Sequence, residues 1–172
     1  MKVLVACEFS GRVRDAFTAL GHDAISCDLL PSETPGKHYQ GNVLDIINEG
    51  FDLMIAHPPC TYLSVAGNAH LKRPGRIEKR LEAYQFFLKL ANAPIYRIAI
   101  ENPVGYINTN YRKPDQIIHP YYFGEPFQKR SCLWLKNLPL LMYNNTIVEP
   151  KHVRISQGIV TNGKKIGWTE GM

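Results

Sequence analysis

FDLMIAHPPC, running from Phe51 to Cys60, reads as an apolar strand that stops at two prolines and a thiol. A continuous apolar run of this kind belongs to a strand covered on both faces, as in a parallel sheet. Further along, YRIAIENP (Tyr96 to Pro103) is a second apolar strand, with an acid at its end. Between the two, residues from about Arg76 to Ala93 carry a helical period. Ile77, Leu81, Tyr84, Leu88 and Ala91 fall on one stripe, with Arg76, Glu78, Lys79 and Glu82 off it. Strand, helix, strand is a βαβ unit, whose crossover makes the strands parallel and brings both carboxyl ends to one edge. Adjacent strands lie about 4.8 Å apart. Cys60 and Glu101 are therefore expected to face one cleft, where ligands of open α/β sheets bind.

Working outward, the N-terminal segment reads as strand (KVLVACEF), helix (SGRVRDAFTALG) and strand (DAISCDLL). Val13, Ala16, Phe17 and Leu20 share one helical face, and Gly21 is a natural stop. Pro31 to Gly41 is polar, with two prolines and two glycines, and is expected to be loop; a short strand and helix are expected around Asn42 to Asn48. Thr61 to Gly75 reads as a further loop, and Gly105 to Asp115 as an irregular connection. QIIHPYYFG and SCLWLKNL then look like two strands joined by EPFQKR. The fold class is α/β, a three-layer sandwich around a mostly parallel sheet with an antiparallel edge. Residues 1–138 form the expected domain, and 139–172 an extension without a core of its own.

The chain has 172 residues, enough for one domain with a substantial core. It is 45% hydrophobic and 20% charged, with no apolar run long enough to cross a bilayer and no charged-then-apolar leader. The expectation is a cytoplasmic protein without a membrane partner. The four cysteines (Cys7, Cys27, Cys60, Cys132) form no CxxC pair, which argues for reduced thiols and against a disulfide framework or a metal site. A net charge of +5 favours an anionic partner.

Cys60 follows two residues with fixed φ and no N–H, so its thiol is presented in a defined direction, as a nucleophile requires. The alternative is a small buried hydrophobe. Glu101 ends an apolar strand, where an acid is costly unless it is hydrogen-bonded or at an open edge. It can hold a proton against a substrate ring nitrogen, or simply cap nearby N–H groups. Glu8 to Arg12 (EFSGR) turns the first strand into a helix, and Asp28 ends the second strand. A glycine for close approach and an acid for ribose hydroxyls are the nucleotide-binding logic of doubly wound sheets. Asp45 can contact a cofactor base or cap a helix. Lys72, Arg73, Arg76, Lys79 and Arg80, with Lys129, Arg130, Lys164 and Lys165, form a phosphate track if they share the cleft face, with Tyr62 and His70 interleaved for stacking.

Taken in order, these landmarks resemble those of the DNA cytosine-5 methyltransferases over residues 2 to about 135. Phe9-Ser10-Gly11 resembles the start of the cofactor motif, Pro58-Pro59-Cys60 the nucleophile motif and Glu101-Asn102 the glutamate motif. Phe123 to Pro126 with Gln128-Lys129-Arg130 resembles the late glutamine-arginine motif. The resemblance implies a Rossmann-like, S-adenosylmethionine-dependent methyltransferase sandwich that flips a cytosine out of DNA and methylates C5 through a Cys60 adduct. It implies catalytic roles for Cys60, Glu101 and Arg130, and cofactor contacts from Phe9, Ser10, Gly11, Asp28, Asp45 and Pro58. Substrate contacts would come from Ser64, Lys72, Arg73, Asn102 and Gln128. Val13 and Arg14 stand where the family continues with glycines, and Cys132 where it carries a second arginine. Lys136 to Met172 are too few for the family's target-recognition domain. Recognition is then minimal, or supplied by a partner subunit, or directed at something other than duplex DNA, such as a single strand or a free nucleotide. A non-catalytic nucleic-acid-binding or accessory protein derived from the family is the reading from a different class.

Overall fold

In the computed structural model, residues 1–126 and 128–143 are described in full, and 159–161 and 164–166 by their backbone. The first strand, β1 (Lys2–Ala6), leads into helix α1 (Arg12–Ala19), then β2 (Asp23–Asp28) and a three-residue β3 (His38–Gln40). Next come β4 (Leu53–Ala56), helix α2 (Arg76–Ala91) and β5 (Arg97–Pro103). A short helix α3 (Tyr106–Asn110), β6 (Gln116–Ile118) and β7 (Ser131–Lys136) complete a seven-stranded sheet. Its order is β3-β2-β1-β4-β5-β7-β6. The first five strands in that order are parallel, whereas β7 runs antiparallel to both β5 and β6. This is a Rossmann-like α/β arrangement with an antiparallel edge. Separately, β8 (Ile159–Thr161) and β9 (Lys164–Ile166) pair antiparallel. The expected extension, 139–172, lies largely outside the described residues. Among the described residues no helix is long and apolar enough to cross a membrane.

The period of two in the central strands explains the layering. Val3 and Val5 of β1 pack with Leu53 of β4 beneath Val13 and Phe17 of α1, while Leu4, Ala6, Met54 and Ala56 face the opposite core. That second core contains Phe87 and Leu90 of α2, Ile98 and Ile100 of β5, and Trp134 of β7. Phe87 meets Trp134 edge-on at 5.3 Å between ring centroids, a favoured aromatic geometry.

Five local expectations are corrected. The segment expected to be loop contains β3, an edge strand bonded to β2 alone, which needs no apolar alternation. The strand expected near Asn42 is absent: Val43–Asp45 is a 3-10 turn, with Asn42 Oδ1 accepting from the Leu44 N–H at 3.1 Å. Of the expected α2 stripe, Tyr84, Leu88 and Ala91 pack against the core, but Ile77 and Leu81 in the first turns stay 58% and 47% exposed, and the buried residues are Arg80, Phe87 and Leu90. The buried arginine turns the helix: its Nε donates to Tyr62 O (2.8 Å) and its Nη2 to Asn68 Oδ1 (2.6 Å). Finally, α3 occupies the expected irregular connection, and QIIHPYYFG is strand only to Ile118, because Pro120 opens a 3-10 turn (Pro120–Phe123).

Candidate active site

Strand order reverses between β1 and β4, and the loops that leave the carboxyl ends there build a ligand-sized crevice. A cavity of about 530 Å³ opens at this edge. Cys7 after β1, Asp28 at the end of β2, Asn42 and Val43 line one side; Pro59 and Tyr62 after β4 and Lys79, Glu82, Ala83 and Phe86 of α2 line the other. Asp28 Oδ1 accepts from the Leu30 N–H at 3.0 Å. An acid at a strand end, able to accept from ribose hydroxyls, beside largely apolar walls that suit a base, fits a nucleoside. Asp45 is exposed, takes a 3.5 Å hydrogen bond from Tyr39 Oη, and does not line the cavity.

The turn after β1 is organised from within. Glu8 is buried and caps α1: its carboxylate accepts from the N–H groups of Val13 (2.7 Å) and Arg14 (3.2 Å) and from Ser10 Oγ (3.1 Å). Arg14, only 1% exposed, donates to Ser26 Oγ, Ser32 Oγ, Thr34 Oγ1 and Pro35 O, so burial of its charge is offset by a full set of acceptors. Gly11 has φ +74°, and a Cβ there would lie 2.1 Å from Thr34 Oγ1. The close approach that requires glycine is thus made by the 32–36 loop. Phe9 is 36% exposed, and its carbonyl accepts from Glu33 N–H at 2.9 Å. Phe9, Ser10 and Gly11 do not line the cavity.

Ala56, the last residue of β4, is paired in register with Ile100 of β5, which runs on to Pro103, so His57 to Cys60 emerges beside Glu101 and Asn102. Asn102, buried, donates from Nδ2 to Pro58 O at 2.7 Å and locks the Pro-Pro-Cys segment to β5. The Cys60 carbonyl accepts from both Leu63 and Ser64 N–H, winding the chain into a turn. The loop is then stapled to the chain after β5: Tyr106 N–H donates to Leu63 O (2.7 Å), Val65 N–H to Val104 O (3.2 Å), and Ser64 bridges Gly105. Arg76 adds a bond to Thr61 O at 2.9 Å and stacks 4.3 Å over the Tyr62 ring. Ser64 Oγ accepts from Gly67 N–H, a local cap.

Cys60 is half-buried. Burial pushes its thiol above the ordinary value, the Lys129 charge pulls it down, and the Glu101 charge raises it again. Glu101 Oε1 is buried without a hydrogen-bond partner, and Lys129 Nζ stands 3.9 Å away. His57 Nε2 and Asn102 Oδ1 are likewise buried and unpartnered. Buried polar atoms are normally satisfied by protein, ordered water or ligand, so these three atoms leave free hydrogen-bonding capacity at this edge. Burial holds the His57 ring below its ordinary titration range against the opposing pull of Glu101 and Glu8. Among the described residues no group of three His, Cys, Asp or Glu is arranged to hold a metal ion.

Sequence reasoning missed His57, Glu8 and the position of Lys129. The residue facing Glu101 is Lys129, whereas its neighbour Arg130 is exposed. Gln128 is half-buried, and Lys72 and Arg73 are exposed. Arg76 and Arg80 are turned into the loop, so the cluster after Cys60 divides between solvent and scaffold. Cys132 is buried opposite Asn102, with Asn108 Nδ2 3.4 Å from its sulfur.

No protein-family model matches the chain, and no curated protein matches it. Among solved structures, one similar chain is that of a co-crystal structure of WbdD with the kinase inhibitor LY294002, at 12% identity and a TM-score of 0.40. The match covers 83% of this chain and 37% of that one, so this chain spans well under two thirds of its neighbour's length.

Proposed function

We propose that the chain transfers a methyl group from S-adenosylmethionine to C5 of cytosine in DNA through a covalent Cys60 adduct. The observation that carries this reading is the buried Glu101 carboxyl oxygen, without a hydrogen bond and 3.9 Å from Lys129 Nζ, on the strand next to the one that presents Cys60. Pro59 and Tyr62, on either side of Cys60 in the chain, wall the cavity that would receive the cofactor, and Asp28 would hold its ribose. When bound, the cofactor supplies an electrophilic methyl group on its sulfonium. Cys60, as thiolate, would form a bond from Sγ to cytosine C6 while Glu101 holds a proton at N3, which gives C5 the electron density to accept the methyl. Loss of the C5 proton and return of the C6–S bonding pair to sulfur would release the product and the thiolate. Lys129 favours the thiolate form needed at the start.

Purified protein with labelled S-adenosylmethionine and cytosine-containing DNA should yield label at C5, and Cys60→Ala should yield none. Failure to label either single-stranded or duplex DNA would remove the proposal.

A second reading, a nucleic-acid binder without catalysis, is favoured by Gly11 being closed off by Thr34 and Arg14. Salt-dependent DNA binding with no calorimetric response to S-adenosylmethionine would identify it.

A further inference from the structure

We propose that the aromatic rings following β6 form a stacking shelf for unpaired nucleotides beside the target base, so that the substrate is a single strand of DNA. The inference rests on the cytosine reading above for what occupies the Cys60 edge, and it adds the form of nucleic acid presented there.

Three observations carry it. The first is topological. Strands β5 and β6 both run antiparallel to β7, so they run parallel to each other, and Ile118 lies level with Ser131 and Pro103. The chain leaving β6 therefore emerges at the edge that carries Glu101 and Cys60, about 10 Å from β5 at two strand spacings.

The second is the cluster itself. His119, Tyr121, Tyr122, Phe123 and Tyr143 form a continuous chain of rings, with successive centroids between 4.6 and 6.0 Å apart. None of the five is buried, and Tyr143 is 45% exposed. They belong to neither hydrophobic core. Four of the rings are half-buried against one another and Tyr143 is exposed, so the outer side of the cluster offers aromatic surface that suits an occupant with π faces of its own.

The third is charge. Arg130 is exposed and close enough that its charge, after partial burial, helps hold the His119 ring below its ordinary titration range. Lys129 beside it reaches Glu101. A line of cations thus joins the catalytic edge to the rings, as phosphates running between a target base and its stacked neighbours require.

A duplex does not match this surface, because its base faces cover one another and only edges and phosphates meet the protein. An unpaired strand turns base faces outward, where each can lie on an aromatic side chain.

The test uses full-length protein, a fluorescent cytosine-containing oligonucleotide and its duplex at one fixed salt concentration, with affinity read by anisotropy. The single strand should bind more tightly than the duplex. Tyr121→Ala/Tyr122→Ala should weaken single-strand binding by about tenfold or more while leaving duplex binding unchanged. Tyr121→Phe/Tyr122→Phe, which keeps the rings and loses only hydroxyls, should restore it. Unchanged single-strand affinity in the alanine variant, or equal wild-type affinity for both forms, would overturn the shelf. Methyl-transfer assays on the wild type and the Tyr121→Ala/Tyr122→Ala variant, run beside these affinities, separate the two proposals. Ring-dependent binding without any methyl transfer by wild type keeps the shelf and removes the transferase, whereas methylation of duplex indifferent to the alanine pair does the reverse.

Discussion

Cys60 has two neighbours of opposite sign, and that opposition can be measured. Thiolate, not thiol, is the nucleophile, so alkylation by iodoacetamide follows the thiolate fraction. Burial and Glu101 raise the thiol while Lys129 lowers it, which places the midpoint of the alkylation-rate profile above the ordinary 9.0. Lys129→Ala should move that midpoint to higher pH and slow alkylation at neutral pH. Glu101→Gln should move it to lower pH and speed alkylation, even as it lowers methyl transfer by about 10²- to 10⁴-fold through loss of the acid. Shifts of the opposite sign would separate these side chains from the thiol. The other cysteines provide an internal control, since burial pushes Cys7 and Cys27 up to about 12. Although β4 itself ends at Ala56 and β5 continues past Glu101 to Pro103, Cys60 and Glu101 were legible in the sequence because each follows an apolar run where its residue type is out of place. Lys129 and His57 were not, since one arrives on a loop from the far edge of the sheet and the other reads as the last residue of a strand. Arg14 was legible only as a departure from a glycine pattern; its burial depends on Asp15 and Ser26 and on four acceptors from Ser32, Thr34 and Pro35, on a loop whose path no local rule fixes.

Among the elements, the loop after β4 owes its position to the chain after β5. Gly105 makes this possible: a Cβ there would sit 2.0 Å from Leu63 O, a backbone atom that cannot swing aside. Gly105→Ala must therefore push the two segments apart and strain the Tyr106-to-Leu63 hydrogen bond. The expected cost is about 1–3 kcal/mol, as for other overpacked sites. It would be read as a lower urea midpoint at unchanged slope. An unchanged midpoint would mean that the staple is not part of the folded state. The sequence marked β4, β5 and the helix between them correctly because long apolar runs leave little choice of partner. It placed Tyr84, Leu88 and Ala91 of α2 against the core but missed the first turns, where Arg80, a residue usually assigned to solvent, is buried to satisfy Tyr62 O and Asn68 Oδ1 of the loop. Three-residue β3 and five-residue α3 had too little pattern to register.

At the scale of the molecule, parallel strands with a reversed β7 followed from the βαβ pattern and from the strand pair near the end of the described chain. The crevice at the β1/β4 reversal is a consequence of that topology. Its 530 Å³ cavity was not legible, because it depends on how far α2 stands from Cys7 and Asp28. The cavity yields the broadest test. A ligand that binds only the folded state stabilises it by about 2.7 kcal/mol at a hundredfold excess over Kd. For a domain of this size that corresponds to a rise in Tm of about 5–11 °C. S-adenosylhomocysteine, which lacks the transferable methyl but keeps the nucleoside, should produce such a rise in the wild type and in Cys60→Ala alike, because the thiol lies outside the cavity lining. Asp28→Ala should lose most of it. A rise that persisted in Asp28→Ala would move the nucleoside elsewhere along the edge. No rise in any variant would leave the cavity without its proposed occupant and favour the binder, in which Thr34 and Arg14 close the first turn for good.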